Sequence, residues 1–276
     1  MTSPRRRASG TSGRREAGKT VEIDVQMVYS VDAPTEMVLQ IEAAHLPDQT
    51  PVDCDLVLEG AKDVVNGTGE AGIGIRSRFV VTDRLTCRYR AQLSMTRPRV
   101  RISRMGPTAL TALPGDTIRY LMPSRYCVPS DFAATDETLF GEKTGGAFIA
   151  AASDWISRNV LYAPGASTPD TTAADTFMRR EGICRDFAHV LISMARARGI
   201  PARFVACYDP GVEPPDFHAV AQVWLDGGWH LVDPTGMADP ETIAIIGVGL
   251  DAAEVSFLTV FGRTELLEQT VSVIGS

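Results

Sequence analysis

The 276-residue chain has only four histidines and no Cys-x-x-Cys pair, so the closely spaced ligands of a structural zinc site are missing. It has no run of about 18 or more apolar residues, which argues against a membrane-spanning helix. The arginine-rich start lacks the apolar stretch of a secretory signal. The Gly72-Ile73-Gly74-Ile75 segment lacks the third glycine and the following helix of a dinucleotide loop. The five cysteines, Cys54, Cys87, Cys127, Cys184 and Cys207, are odd in number and widely spaced. With no leader ahead of them, they predict reduced thiols and a cytoplasmic location. No cofactor or metal is expected.

What remains is ordinary globular material, 44% hydrophobic and 22% charged, long enough for one large domain or two ordinary ones. Charge is unevenly spread. Residues 1–19 carry six basic side chains against Glu16, a net of +5, leaving −12 for the rest of a chain whose total is −7. The Ser, Gly, Thr and Arg content of 1–19 predicts a disordered basic tail. The acidic body argues against nucleic acid as a partner.

Residues 20–105 read as an N-terminal β-rich domain. Val21, Ile23, Val25 and Met27 follow period two, Thr35–Ala43, Gly72–Val81 and Thr86–Thr96 read as further strands, and Asn66-Gly67 marks a turn. A proline-punctuated connector opens the second region, 106–276. Helical periodicity then runs from Gly146 to about Asn159, and Thr172–Arg180 suggests a short helix. Asp251–Leu258 looks helical and Glu268–Ile274 like a final strand. The whole reads as α+β.

The strongest helix signal covers residues 184–198. Cys184, Phe187, Leu191, Met194 and Arg198 share one stripe, and Gly199 and Pro201 end it. Cys184 therefore sits in a first turn, where unpaired N–H groups and the helix dipole favour a thiolate. No Ser, Thr, Asp or Asn caps that start, which leaves donors available to an oxyanion. Taken alone, a buried structural cysteine explains Cys184 equally well.

Downstream, Phe217–Leu225 and Trp229–Pro234 read as a hairpin turned by Asp226-Gly227. That turn makes paired positions sum to 453, so Trp224 faces Trp229 and Asp233 becomes a diagonal neighbour of His218. A one-residue slip would undo this alignment. His230 falls on the other face and His45 has no evident partner. His189 lies about 140° round the helix from Cys184, facing Asp186 as an ion pair or as a wall of the site.

With these residues in hand, the chain resembles the bacterial transglutaminase-like family of papain-like thiol enzymes, from about Ser124 to Gly249. The motifs are Gly182-Ile183-Cys184-Arg185-Asp186-Phe187-Ala188-His189, Gly199-Ile200-Pro201-Ala202-Arg203, Asp216-Phe217-His218-Ala219 and Trp229-His230-Leu231-Val232-Asp233-Pro234-Thr235. The resemblance implies a cysteine helix packed on an antiparallel sheet, preceded by a β domain. It implies Cys184 as nucleophile, His218 as base and Asp233 as the orienting acid. Animal transglutaminases carry Trp directly after the cysteine, where this chain has Arg185. Their calcium sites find no counterpart in an EF-hand loop here. An upstream aromatic helps hold the oxyanion in related enzymes, and Tyr126 and Trp155 are the candidates. The implied activity is acyl transfer from a peptide, protein or small amide, by hydrolysis or by transamidation. A catalytically silent binding module and a cysteine–histidine metal site are the rival readings.

Overall fold

The computed structural model describes residues 18–276. The tail expected over 1–19 lies outside them, apart from Gly18 and Lys19. Lys19 already begins a strand and pairs with Asp239 and Glu241 at 3.4 and 2.8 Å.

Alternation makes β1 (Lys19–Val31), which buries Val21, Ile23, Val25 and Met27 and exposes Glu22 and Asp24. β2 (Thr35–Leu39) and β3 (Gln49–Thr68) follow, then β4 (Ile75–Met95), a single strand where the sequence suggested two. Phe79, Val81, Leu85, Cys87, Tyr89 and Leu93 line its buried face. The Asn66-Gly67 turn does not occur: both residues lie inside β3, with Asn66 accepting from the Ser77 hydroxyl at 3.0 Å. The chain reverses instead at Gly69–Gly74. There Ala71 and Gly72 are both left-handed, at φ 55° and 75°, and the Gly69 N–H donates to the Gly74 carbonyl. Gly60 permits a shift of register along β3: it adopts φ +91°, and a Cβ there would lie 2.0 Å from the Arg84 carbonyl oxygen.

The second region holds α1 (Ala133–Phe140), α2 (Gly145–Asn159), β5 (Leu161–Tyr162), α3 (Ala173–Arg179), β6 (Glu181–Gly182) and α4 (Cys184–Ala197). These are followed by β7 (Ala202–Tyr208), β8 (His218–Leu225), β9 (Gly228–Val232) and β10 (Ala244–Gly249). The last four form an antiparallel sheet in the order β10-β7-β8-β9, and β5 and β6 make a short parallel pair. α4 packs on β7 and β8, with the other helices on its far side. It is therefore buried nearly all round rather than along one stripe: Phe187, Ala188, Val190, Leu191, Ile192, Met194 and Ala195 are all inaccessible. The fold is α+β, with the cysteine helix on an antiparallel sheet.

The division into 20–105 and 106–276 does not hold for the sheets. β11 (Leu258–Phe261) pairs with β2, and β12 (Thr264–Gly275) pairs with β1. The first sheet thus runs β11-β2-β4-β1-β12, with β3 added on β4. An alternating segment carries no mark of which sheet it joins, so only the packed structure discloses this return. One apolar core joins the two layers, where Tyr89 of β4 stacks on Tyr208 of β7 at 6.5 Å. The Tyr208 hydroxyl donates to the Ile41 carbonyl, and the Ala43 N–H donates to the Tyr89 hydroxyl, each at 2.8 Å. The helix expected over Asp251–Leu258 is a string of turns. Asp251 accepts from the Tyr126 and Ala253 N–H groups and Glu254 from the Leu250 N–H, offering the backbone partners that a helix would have used.

Candidate active site

Cys184 stands at the first position of α4, where the short β5–β6 pair delivers the chain. Ile183 is extended, and Gly182 leaves no space for a side chain, since a Cβ would lie 2.8 Å from the Asp186 Cβ. That closeness lets Asp186 fold back to accept from the Ile183 N–H at 2.8 Å and from the Ser167 hydroxyl at 3.0 Å. The start is therefore better capped than its sequence suggested, by the third residue of the helix rather than by one ahead of it. The Arg185 N–H makes no backbone hydrogen bond with any described residue, and the Cys184 N–H is directed at the Tyr162 hydroxyl rather than into the helix. Both are donors that the helix itself leaves unpaired.

The hairpin has the expected register. Asp226 and Gly227 are both left-handed, at φ 47° and 79°, and Leu225 pairs with Gly228, Trp224 with Trp229 and Ala221 with Val232. The two Trp rings meet edge to face at 5.4 Å. Pairing ends at Val232, so Asp233 is released from the ladder and turns towards β8. Its Oδ2 lies 3.1 Å from Nε2 of His218. Asp233 also accepts from the Thr235 N–H and hydroxyl and the Ala238 N–H, at 2.8–2.9 Å. Burial works against its charge, but these donors and the His218 ring outweigh it and hold the carboxyl below its usual range.

His218 is almost fully buried. Burial opposes its charged form, yet the hydrogen bond to Asp233 and the neighbouring Cys184 reverse the balance and raise it to about 10. Its Nδ1 is buried without a hydrogen-bond partner in the resting geometry. Nδ1 is thus left for Cys184, which lines the same cavity of about 500 Å3. Phe204, Ile246 and Val255 give that cavity an apolar wall, and Phe217 lies flat on Phe257 at 4.5 Å. One wall residue, Gln269, comes from β12 of the first sheet and donates to Asp216 at 2.9 Å. A hollow of about 450 Å3 on the outer face of the first sheet holds Cys54 among Asp24, Asp53 and Arg90, with no histidine.

The two candidate oxyanion aromatics point elsewhere. The Tyr126 hydroxyl donates to the Pro169 carbonyl at 2.7 Å, and its ring stacks on His189. Trp155 stacks on Phe177 beneath the Arg180 guanidinium. Neither lines the cavity. The aromatic beside Cys184 is Tyr162, held there by the pairing of Tyr162 with Gly182. Burial first, then the neighbouring Cys184, push its hydroxyl up to about 12, so it keeps its proton. Tyr162 lies in a two-residue strand with no periodicity, which is why the sequence did not single it out.

His189 is fully buried and makes no ion pair with Asp186. Its Nε2 accepts from the Ala252 N–H at 3.2 Å, and burial drives its pKa down to about 3. It is a neutral packing residue. His230 lies beside the Leu225 carbonyl at 3.1 Å, within its own hairpin. All five cysteines are unpaired. Burial pushes Cys87 and Cys127 to about 12 and raises Cys207 well above the ordinary thiol value, so these three stay thiols. Cys184 alone combines partial exposure with a histidine. No helix among the described residues is long and apolar enough to cross a membrane.

Residues 133–234 match the model of the transglutaminase-like superfamily, a stretch that contains Cys184, His218 and Asp233. A crystal structure from Cytophaga hutchinsonii, provisionally assigned as a cysteine protease, superposes with a TM-score of 0.88 at 27% identity, covering 94% of this chain and 91% of that one. An uncharacterised Mycobacterium leprae protein is 32% identical over 118 residues, 39% of this chain and 42% of its own length. A protein-glutamine gamma-glutamyltransferase of Pseudomonas aeruginosa is 38% identical over 91 residues, 27% of this chain and 14% of its own length. These two curated relatives are thus matched over less than half their length.

Proposed function

We propose, from the premise that residues 133–234 form a transglutaminase-like domain, that the chain is a thiol-dependent acyl-transfer enzyme acting through Cys184, His218 and Asp233. The observation that carries this reading is His218: one ring nitrogen is held by Asp233 at 3.1 Å, and the other is unpartnered beside the cavity of Cys184. The Cys184 sulfur attacks an amide carbonyl carbon, and the C–S bond forms as the carbonyl π electrons move to oxygen. The resulting oxyanion meets the Cys184 N–H and the protonated Tyr162 hydroxyl, which lie side by side at the cavity. The tetrahedral intermediate collapses, the C–N bond breaks, and the His218 imidazolium gives its proton to the departing amine. A thioester remains. The proton transfer leaves His218 neutral, and acylation removes the sulfur neighbour that helped raise it, so the imidazole stays unprotonated and available to accept a proton in the second half-reaction. Water then attacks the thioester, its proton passes to His218, and the acid is released with the thiolate restored.

Hydrolysis of a peptide or other amide is the leading reading. Transamidation, in which an amine replaces that water, is the second, favoured by the likeness to the P. aeruginosa glutamyltransferase. The unpaired state of all five cysteines suits a reducing compartment such as the cytoplasm. The test is the Cys184→Ala variant with iodoacetamide labelling of the native chain. Cys184 should label faster than the exposed Cys54 at neutral pH, and the variant should fold yet lose turnover and thioester trapping. Equal labelling together with full activity in the variant would sink the proposal. A reactive Cys184 with no activity across a broad amide screen would favour a silent binding module.

A further inference from the structure

A third hollow, of about 440 Å3, shares Tyr162 with the Cys184 cavity. Thr235, the hydroxyl that holds Asp233, lines it as well. Its polar groups include Arg158, Asn159 and Arg180, and no carboxylate lines it. Arg180 is unusual in three ways. Its guanidinium lies 4.4 Å from the Trp155 ring and 4.1 Å from the Phe177 ring, which fixes its plane. It makes no side-chain hydrogen bond or ion pair with any described residue, and its buried Nη1 has no partner. Its backbone is left-handed at φ 61°, at the end of α3, where glycine is the favoured residue. An arginine kept at a glycine position, braced on two rings and unpaired within a body of net negative charge, breaks the local rule where a ligand would explain it. The Leu161 N–H, bonded to the Arg180 carbonyl at 2.8 Å, locks the arginine to the strand that carries Tyr162.

Resting on the acyl-transfer reading, we propose that this hollow is a substrate subsite that takes a carboxylate, from an acidic side chain or a chain terminus, on the part of the substrate that runs past Tyr162. Arg180 supplies a planar, pre-oriented fork, and Arg158 on the exposed rim, paired with Asp154 at 2.6 Å, is a secondary contributor.

The test is direct binding to the Cys184→Ala chain, which needs no turnover. Titration calorimetry compares capped peptides with a central glutamine flanked on both sides by Glu, by Gln or by Lys. A fourth peptide has Gln flanks and a free C-terminal carboxylate. The Glu-flanked or free-acid peptide should bind roughly tenfold more tightly than the capped Gln peptide, the scale of one charge-assisted hydrogen bond, and the Lys peptide more weakly than either. Arg180→Gln should erase that preference, Arg180→Lys should restore part of it, and Arg158→Gln, which cannot disturb the core, should reduce it about twofold to threefold. Whichever of the two acids gains identifies the source of the carboxylate. Equal affinities, no binding by any peptide, or a preference untouched in both Arg180 variants would overturn the subsite. Iodoacetamide labelling of native Cys184 reads the parent proposal separately, so the two can fail independently.

Discussion

Two buried histidines of this molecule end in opposite protonation states. His189, on the face of α4 turned towards Tyr126 and Phe204, has for its Nε2 only a backbone N–H as partner, and burial leaves it neutral with a pKa near 3. His218, on β8, faces Asp233 and the Cys184 cavity, and the same burial is overcome until it holds its proton up to about 10. Desolvation is the largest influence on both. What separates them is the charge of the partner, so identical side chains become a packing residue in one place and a proton donor in the other.

The largest effect should come from exchanging the two. His218→Gln should lower turnover by roughly 10³-fold or more, the scale of a general acid–base group, with a near-native melting temperature. His189→Gln should leave turnover within a few-fold but cost about 1–3 kcal/mol of stability in denaturant melts. If the two variants behave alike, the contrast fails.

That contrast was half legible beforehand. The Asp226-Gly227 turn fixed the hairpin arithmetic, and the arithmetic put Asp233 beside His218. Alternating and helical periods likewise disclosed β1 and α4. Gln269 and Tyr162 were invisible because each reaches the cavity through a pairing distant in sequence, β12 on β1 and β5 on β6. Tyr126 and Trp155 misled because an aromatic upstream of the cysteine carries no sign of which way its ring turns. Asp186 caps α4 from inside the helix, a position that the search for a cap ahead of Cys184 passed over.

Removing the charge of the partner is the next test. Asp233→Asn should lower kcat by roughly 10²–10⁴-fold, since the amide cannot stabilise the imidazolium. It should also move the loss of the His218 proton from about 10 towards the ordinary value near 6.5. The linkage has a definite sign. The folded pKa of His218 lies above the unfolded one, so its contribution to stability is complete below about pH 6.5 and fades as pH climbs through about 10. Thermal melts of the native chain and the Asp233→Asn variant between pH 6 and pH 10, roughly the window of that shift, should converge at the alkaline end. A gap that stays constant would separate Asp233 from the His218 proton.

A smaller effect concerns the donors. Tyr162→Phe should slow acylation roughly 10–100-fold by single-turnover thioester trapping, at or below the scale of one oxyanion donor, whereas Trp155→Phe should change it little. Equal effects would mean that Tyr162 only shapes the cavity.

Asp136 sharpens the comparison from a third side. Both of its oxygens are buried without a partner, and desolvation, only partly offset by Arg198, raises it to about 7. A raised carboxyl destabilises the fold as it ionises, so stability should fall by up to about 1.4 kcal/mol per pH unit between the unfolded value near 3.9 and the folded one. Asp136→Asn should flatten that slope in denaturant melts at pH 5 and pH 8, values roughly bracketing the folded pKa. An unchanged slope would show that Asp136 is ionised and partnered in solution.

The most direct measurement is a ¹⁵N NMR titration of the histidine side chains in the native chain. His218 should show imidazolium shifts at neutral pH and lose them only near pH 10, while His189 stays neutral down to about pH 4 or below. A His218 that is already neutral at pH 7 (near the ordinary value of about 6.5), or one that titrates together with His189, would contradict the pairing of Cys184, His218 and Asp233 on which the proposed chemistry depends.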